Sequence, residues 1–391
     1  VFRLIASVTG SRVVASIIQA VTLLILTRGL EVELFGQFAA TSAASGMASV
    51  VLGFGLNTLA LRIAAFEDSR QIAATIAMLR VPAVLASALV TTVVALLLMG
   101  SDSTPIVLAA VLYAAAESLG EGVESLLYGS SRTSRAQVAL ISRRVVVLAG
   151  VMIGIGAGDL MAGLCVGAGL VCVAVGLMLQ GTLARPAGFK RVFREARSYW
   201  APTMLAKLQT LDVSVAAIAM PGVAAGVYSA AARVTSPLNT FTIAALSVLT
   251  PRLSSRFEGE TRDLLFRQSR RSMYLVALIL TLISPLVGLA TEFVVGESYS
   301  GVAFPAAILT VMTGVAALTQ LYVAHFFAIG DGNTVAKIRL VVMPAMLLLG
   351  FLLGTIWGPV GMALAVLLGQ VGLWVWLALA YKKRPDPPSG P

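Results

Sequence analysis

The sequence predicts an all-α polytopic membrane protein, and three observations carry that prediction. Of its 391 residues, 58% are hydrophobic and only 12% are charged, where a soluble domain carries about 25% charged residues. The mean hydropathy is +0.93. Apolar runs long enough to cross a ~30 Å hydrocarbon core recur along the whole chain. About twelve transmembrane helices are expected, in two six-helix bundles related by a pseudo-two-fold axis along the membrane normal.

The first span, 11–30, is a full-length apolar run, and no cleavable signal peptide is expected. The second covers 36–61. Spans three to six follow at 78–99, 105–128, 136–157 and 159–181. The second half repeats the count at 199–220, 225–250, 272–291, 302–327, 335–356 and 359–381. This gives an N-terminal bundle over 1–181, a cytoplasmic linker over 182–198, a C-terminal bundle over 199–381 and a Pro-rich disordered cytoplasmic tail over 382–391.

The charges orient these spans. All 28 Lys and Arg except Arg28, Lys207 and Arg233 fall on the side of the even-numbered connections and both termini. The opposite side holds Glu31, Glu33, Asp102, Asp159, Glu292 and Glu297. Such a bias places both termini in the cytoplasm. The net charge of +10 is therefore a topology signal and does not point to nucleic acid. Exterior loops are too short to form a catalytic domain, and no GxxxxGK[ST] run exists to hold a nucleotide. An enzyme is not expected. Cys165 and Cys172 read as small apolar residues in a span. With His325 the sole histidine, no His-based metal site can be built.

The halves resemble each other at one constant offset. Gly36, Phe38 and Ala40 align with Gly226, Tyr228 and Ala230; Leu56, Leu59 and Arg62 align with Leu246, Leu249 and Arg252; Gln19 aligns with Gln209. At a slightly larger offset, "GDLMAGLCVGAG" lies over "GPVGMALAVLLG". Six helices per half is an even number, so both halves enter from one side. Parallel repeats of that kind bind substrate at their interface.

Charged groups inside spans mark candidate sites, because each costs about 2.5–3.5 kcal/mol at a helix centre unless partnered or hydrated. In "YAAAESLGEGVESLLYG", Tyr113, Glu117, Glu121, Glu124 and Tyr128 share an arc of about 80° on one helix. Arg143 and Arg144 lie at similar depth on the next, antiparallel helix. A Glu–Arg cluster between the two helices is expected. It either locks the hairpin or leaves Glu117, Glu121 or both to bind protons, cations or substrate. In the seventh span Lys207 and Asp212 are about 140° apart around the helix axis, so each looks to another helix or to water. Arg233 lies inside the eighth span. Arg28 either snorkels or lines a cavity.

The segments "LTRGLEVELFGQFAA", "LQTLDVSVAAIAMPGVAAGVYSAAARVTSPL" and "GPVGMALAVLLG" resemble polysaccharide-unit flippases, the Wzx type of the multidrug/oligosaccharidyl-lipid/polysaccharide (MOP) superfamily. The resemblance runs from Arg12 to Tyr381. It implies a transporter of a bacterial plasma membrane that moves polyprenyl-pyrophosphate-linked oligosaccharides outward by alternating access, with a glycan polymerase and glycosyltransferases as partners. Arg28, Asp212 and Tyr228 match family-patterned positions. Arg28, Arg144, Lys207 and Arg233 would supply a cationic cavity for the pyrophosphate, with Tyr228 beside them. No cofactor is expected, but H+ or Na+ coupling through Glu117, Glu121 or Asp212 is. The carboxylate stripe departs from the family's usual cationic lumen and keeps a cation exporter of the same superfamily as an alternative. An integral-membrane glycan polymerase or ligase is a more distant one. The fourteen-helix lipid II flippases are expected to fit less well, two helices being absent.

Overall fold

The computed structural model describes residues 2–61, 68–130, 132–180, 188–254, 260–328 and 331–383. All the regular structure among them is helical. In chain order the helices are α1 (Phe2–Gly29), α2 (Val32–Leu52), α3 (Leu56–Ala60), α4 (Ser69–Met99), α5 (Thr104–Gly129), α6 (Thr133–Ala157), α7 (Leu160–Gln180), α8 (Phe189–Lys207), α9 (Asp212–Ala219), α10 (Gly222–Ser254), α11 (Glu260–Val295), α12 (Ala303–Ala328) and α13 (Gly332–Lys382). Eight of the described helices are long and apolar enough to cross a membrane: α1, α4, α5, α6, α7, α11, α12 and α13. The chain is a multi-pass membrane protein.

Burial is inverted relative to a soluble protein. Leu85, Leu89, Val93 and Leu97 of α4 are 49–80% exposed at four-residue spacing, and Leu278, Leu282 and Leu286 of α11 repeat the pattern. In water such stripes would form a large apolar patch; in a bilayer they face lipid. The chain divides into two compact units, Ala6–Ala217 and Ile218–Pro391 together with Val1–Ile5. In the first unit α5 is central and packs on α2, α3, α4, α6 and α7. In the second α12 is central and packs on α10, α11 and α13.

The two units repeat local devices. Gly100 (φ 83°, ψ 169°) and Gly296 (φ 102°, ψ 171°) each lead into a single 3-10 turn and then a 26-residue helix, α5 and α12. Gly158 and Gly358, aligned in the sequence, both adopt positive φ, 79° and 58°. Gly358 turns the chain inside α13, so the expected spans 335–356 and 359–381 are two helices meeting at this residue.

Glycine also sets the tightest packing. A Cβ on Gly150 would lie 2.6 Å from the Gly163 carbonyl oxygen and 2.7 Å from the Gly167 Cα. One on Gly154 would meet Gly163 Cα at 2.8 Å. Both helices carry small residues four apart, G-x-x-x-G, so α6 and α7 approach backbone to backbone.

Three expected elements differ. The span 36–61 is broken: α2 ends at Leu52, and Gly53, Phe54 (φ 45°) and Gly55 (φ 75°) interrupt the helix before α3. The cause is α8, whose backbone lies where a Gly55 Cβ would sit, 2.8 Å from the Ala196 oxygen and 2.9 Å from the Trp200 nitrogen. The span 199–220 begins earlier, as α8, and breaks at a 3-10 turn over Leu208–Leu211. Residues 189–198, expected within the linker, belong to that helix. Finally, α4 begins at Ser69, so Arg80 stands well inside it and not at its edge. Most of the tail, 384–391, lies outside the described residues.

Candidate functional site: a charge cluster on α5

The expected Glu–Arg cluster is present. Glu117 lies within ion-pair distance of both Arg143 and Arg144: Arg144 Nη1 donates to its carboxylate, and Arg143 Nη2 stands 3.8 Å from it. Arg143 Nη2 also meets Glu124 at 2.7 Å, and its Nη1 donates to the Glu117 carbonyl at 2.9 Å. The Arg143 side chain is only 4% exposed. A buried arginine of this kind persists where its charge is matched and its donors are used.

Two glycines in "SLGEGVE" make room for it. A Cβ on Gly120 would collide with Arg143 Nη1, and one on Gly122 would fall 3.1 Å from Arg80 Nε. Glycine inside a helix costs about 1 kcal/mol relative to alanine. Here it lets two guanidinium groups lie against the α5 backbone. Arg80, 3% exposed, donates through Nη2 to the Ser118 carbonyl at 2.7 Å and to the Ser118 hydroxyl at 2.6 Å. The Ser118 hydroxyl also pairs with Ser49 of α2.

Glu121 sits between these groups with a different role. Its carboxylate lies in the field of Lys207, Arg143, Arg80 and Arg144. Among the described residues no cation forms a close ion pair with it. Glu117 and Glu124 are held by the α6 arginines, whereas Glu121 is half-buried and attracted chiefly to Lys207, the last residue of α8 before the helix breaks. Four cations thus surround three carboxylates, a surplus of one positive charge. Arg12 of α1, beside Tyr128 of α5, adds another cation at one end of the stripe. At the other end Tyr113 is buried, accepts from Gln19 at 3.1 Å and packs on Phe38 at 5.7 Å.

Asp212 begins α9 directly after the 3-10 turn, where its Oδ1 accepts from the Val213 amide at 2.8 Å. Arg28 is exposed in the last turn of α1, a position where a cation complements the helix dipole. Arg233 and Tyr228 belong to the second unit, in α10; Arg233 is half-buried and Tyr228 fully buried. The structure therefore brings Glu117, Glu121, Arg144 and Lys207 together. Arg28 makes none of the cluster's ion pairs, and Arg233 and Tyr228 are part of the other unit. Sequence reasoning missed Arg80, Arg12 and the two glycines. It also missed Arg339 of α13, 8% exposed and without an ion-pair partner among the described residues. Each of these arginines falls at the end of an apolar window, where hydropathy assigns it to the membrane surface.

Lipid-facing helices with a charged cluster inside one unit define a polytopic membrane protein that carries ionised groups within its helical core. Residues 1–257 match the family model described as polysaccharide biosynthesis protein, and the chain belongs to that family. No curated protein sequence matches it. The fold is that of the MOP superfamily. A structure of the lipid II flippase MurJ in an inward closed conformation superposes with a TM-score of 0.75 at 13% identity, covering 98% of this chain and 88% of that one. An inward-facing multidrug resistance MATE transporter of the MOP superfamily gives 0.67 at 14% identity, covering 94% and 100%. A MATE in complex with MaD5 gives 0.69 at 14% identity, covering 97% of each chain. At these identities the likeness is one of fold.

Proposed function

We propose that the chain is a flippase that moves polyprenyl-pyrophosphate-linked oligosaccharide units across a bacterial plasma membrane by alternating access. In this reading twelve spans form two six-helix bundles related by a pseudo-two-fold along the membrane normal, over 1–181 and 199–381, with both termini cytoplasmic. The observation that carries it is the cation surplus around α5. Among the described residues Lys207 has no fixed ion-pair partner, so its ammonium is available to a pyrophosphate while Arg143 stays bound to Glu117 and Glu124. Arg28, Arg144, Arg233 and Tyr228 are the further substrate contacts proposed. Glu121 is the coupling carboxylate. It alternates between Lys207 and a proton or Na+, while Glu117 and Asp212 support it. A glycan polymerase and glycosyltransferases would act on the same glycan.

A second reading, a cation exporter of the same superfamily, is favoured by the three carboxylates on one helix face. Transport in proteoliposomes separates the two. The flippase reading expects a fluorescent polyprenyl-pyrophosphate oligosaccharide to change leaflets and an organic cation to stay. Cation flux without glycolipid movement would overturn it and make Glu121 the cation site.

A further inference from the structure

The first three turns of α8 take no part in the α5 cluster and present two surfaces. Val192 and Ala196 are buried, 1% and 0% exposed, on the face that packs on α2, α3 and α4. Phe189 and Phe193 remain 47% and 37% exposed. On a helix they share an arc of about 40° with Trp200. Phe54, itself exposed in the α2–α3 break, stacks on Trp200 at 5.8 Å and meets Phe193 edge-on at 5.5 Å. Immediately beside this aromatic edge stand Lys190, Arg194 and Arg197, all exposed. None has an ion-pair partner among the described residues. Arg191, by contrast, is committed to Asp68 at 2.7 Å. The helix then runs through Lys207 into the apolar stretch that contains α9, so this face lies at a membrane boundary.

We propose that this face of α8 docks on anionic phospholipid headgroups, with Phe189 and Phe193 at the acyl boundary and Lys190, Arg194 and Arg197 on the phosphates. An aromatic edge flanked by a basic stripe is the physical signature of a helix lying in the interface, and juxtamembrane Lys and Arg are drawn to an anionic leaflet. The charge complementarity selects phosphatidylglycerol-like lipids over zwitterionic ones. It does not depend on what the protein transports. Because α8 also wedges against Gly55 and carries Lys207 at its far end, a lipid-seated α8 fixes the position of the lysine beside Glu121.

The test uses the full chain in vesicles with Trp200 as sole tryptophan (Trp357, Trp374 and Trp376 changed to Phe). Quenching by brominated phosphatidylglycerol is compared with quenching by brominated phosphatidylcholine at equal mole fraction. The proposal expects the anionic lipid to quench at least about twofold more strongly, with the difference lost in Lys190→Gln/Arg194→Gln/Arg197→Gln and reduced at high salt. Equal quenching by the two lipids, or a preference that survives the triple substitution, overturns it; a basic face that stays in water or holds an acidic protein gives the first of these. Lipid retained by the four-tryptophan protein after purification, counted by mass spectrometry, gives a second reading. Its phosphatidylglycerol share must fall in the triple variant, and an unchanged share contradicts the proposal.

Discussion

Replacing Arg143 by methionine removes the side chain that joins Glu124 and Glu117. The guanidinium is 4% exposed and its Glu124 partner 14% exposed. Glu117 keeps Arg144 after the change, so the loss falls mainly on Glu124, which is left with a carboxylate in a low-dielectric helix interface. Breaking a buried pair from one side costs about 3–5 kcal/mol. The Gly120 notch, empty of its guanidinium, adds a packing defect. Neutralising the stranded group as well, in Arg143→Met/Glu124→Gln, should recover about 2 kcal/mol of that loss, since no charge is left unmatched. The cycle is read by equilibrium unfolding in mixed micelles. Neutral interhelical hydrogen bonds in membranes average only about 0.6 kcal/mol, so the two cases are well separated. Single variants that each cost less than about 1 kcal/mol, and add without coupling, would show that these charges are solvated and that the α5–α6 cluster is not a buried network.

Three further outcomes follow from the structure. Gly154→Val should destabilise by about 1–3 kcal/mol, because its Cβ would enter the α7 backbone, whereas Gly156→Ala, with open space around it, should stabilise by up to about 1 kcal/mol; thermal unfolding of the two variants checks the pair. Arg80→Lys should cost about 1–3 kcal/mol despite keeping the charge, since the lysine nitrogen ends one bond short of the Nη2 that donates to Ser118; stability equal to the native protein would refute the geometry. Burial pushes the Tyr299 phenol, in the turn before α12, well above its usual range. The unfolded phenol then releases its proton first, so this contribution is intact below about pH 10 and is lost as the pH rises beyond it. The melting temperature of Tyr299→Phe should fall less steeply than that of the native protein over this range.

Most of the helices were legible from hydropathy, because spanning a bilayer demands length and composition that the sequence cannot conceal. The Glu–Arg pairing of α5 and α6 was legible for a related reason: three carboxylates on one face need cations at equal depth, and Arg143 and Arg144 were the nearest. What stayed hidden depends on tertiary contact. The break at Gly53–Gly55 arises because α8 presses its backbone there, and no local signal in 36–61 announces a helix from elsewhere in the chain. Gly120 and Gly122 read as generic small residues until Arg143 and Arg80 are seen to fill their places. Arg80 was assigned to the surface because the helix runs on beyond its apolar window.

If Lys207 and Glu121 form the working pair of a glycolipid flippase, one measurement tests them most directly. It is the rate at which a polyprenyl-pyrophosphate oligosaccharide changes leaflets in proteoliposomes under an imposed ion gradient, for the native protein, Lys207→Ala and Glu121→Gln. The expected result is loss of flipping in Lys207→Ala and loss of gradient dependence in Glu121→Gln, with both variants folded. Native rates and native gradient dependence in both would contradict it.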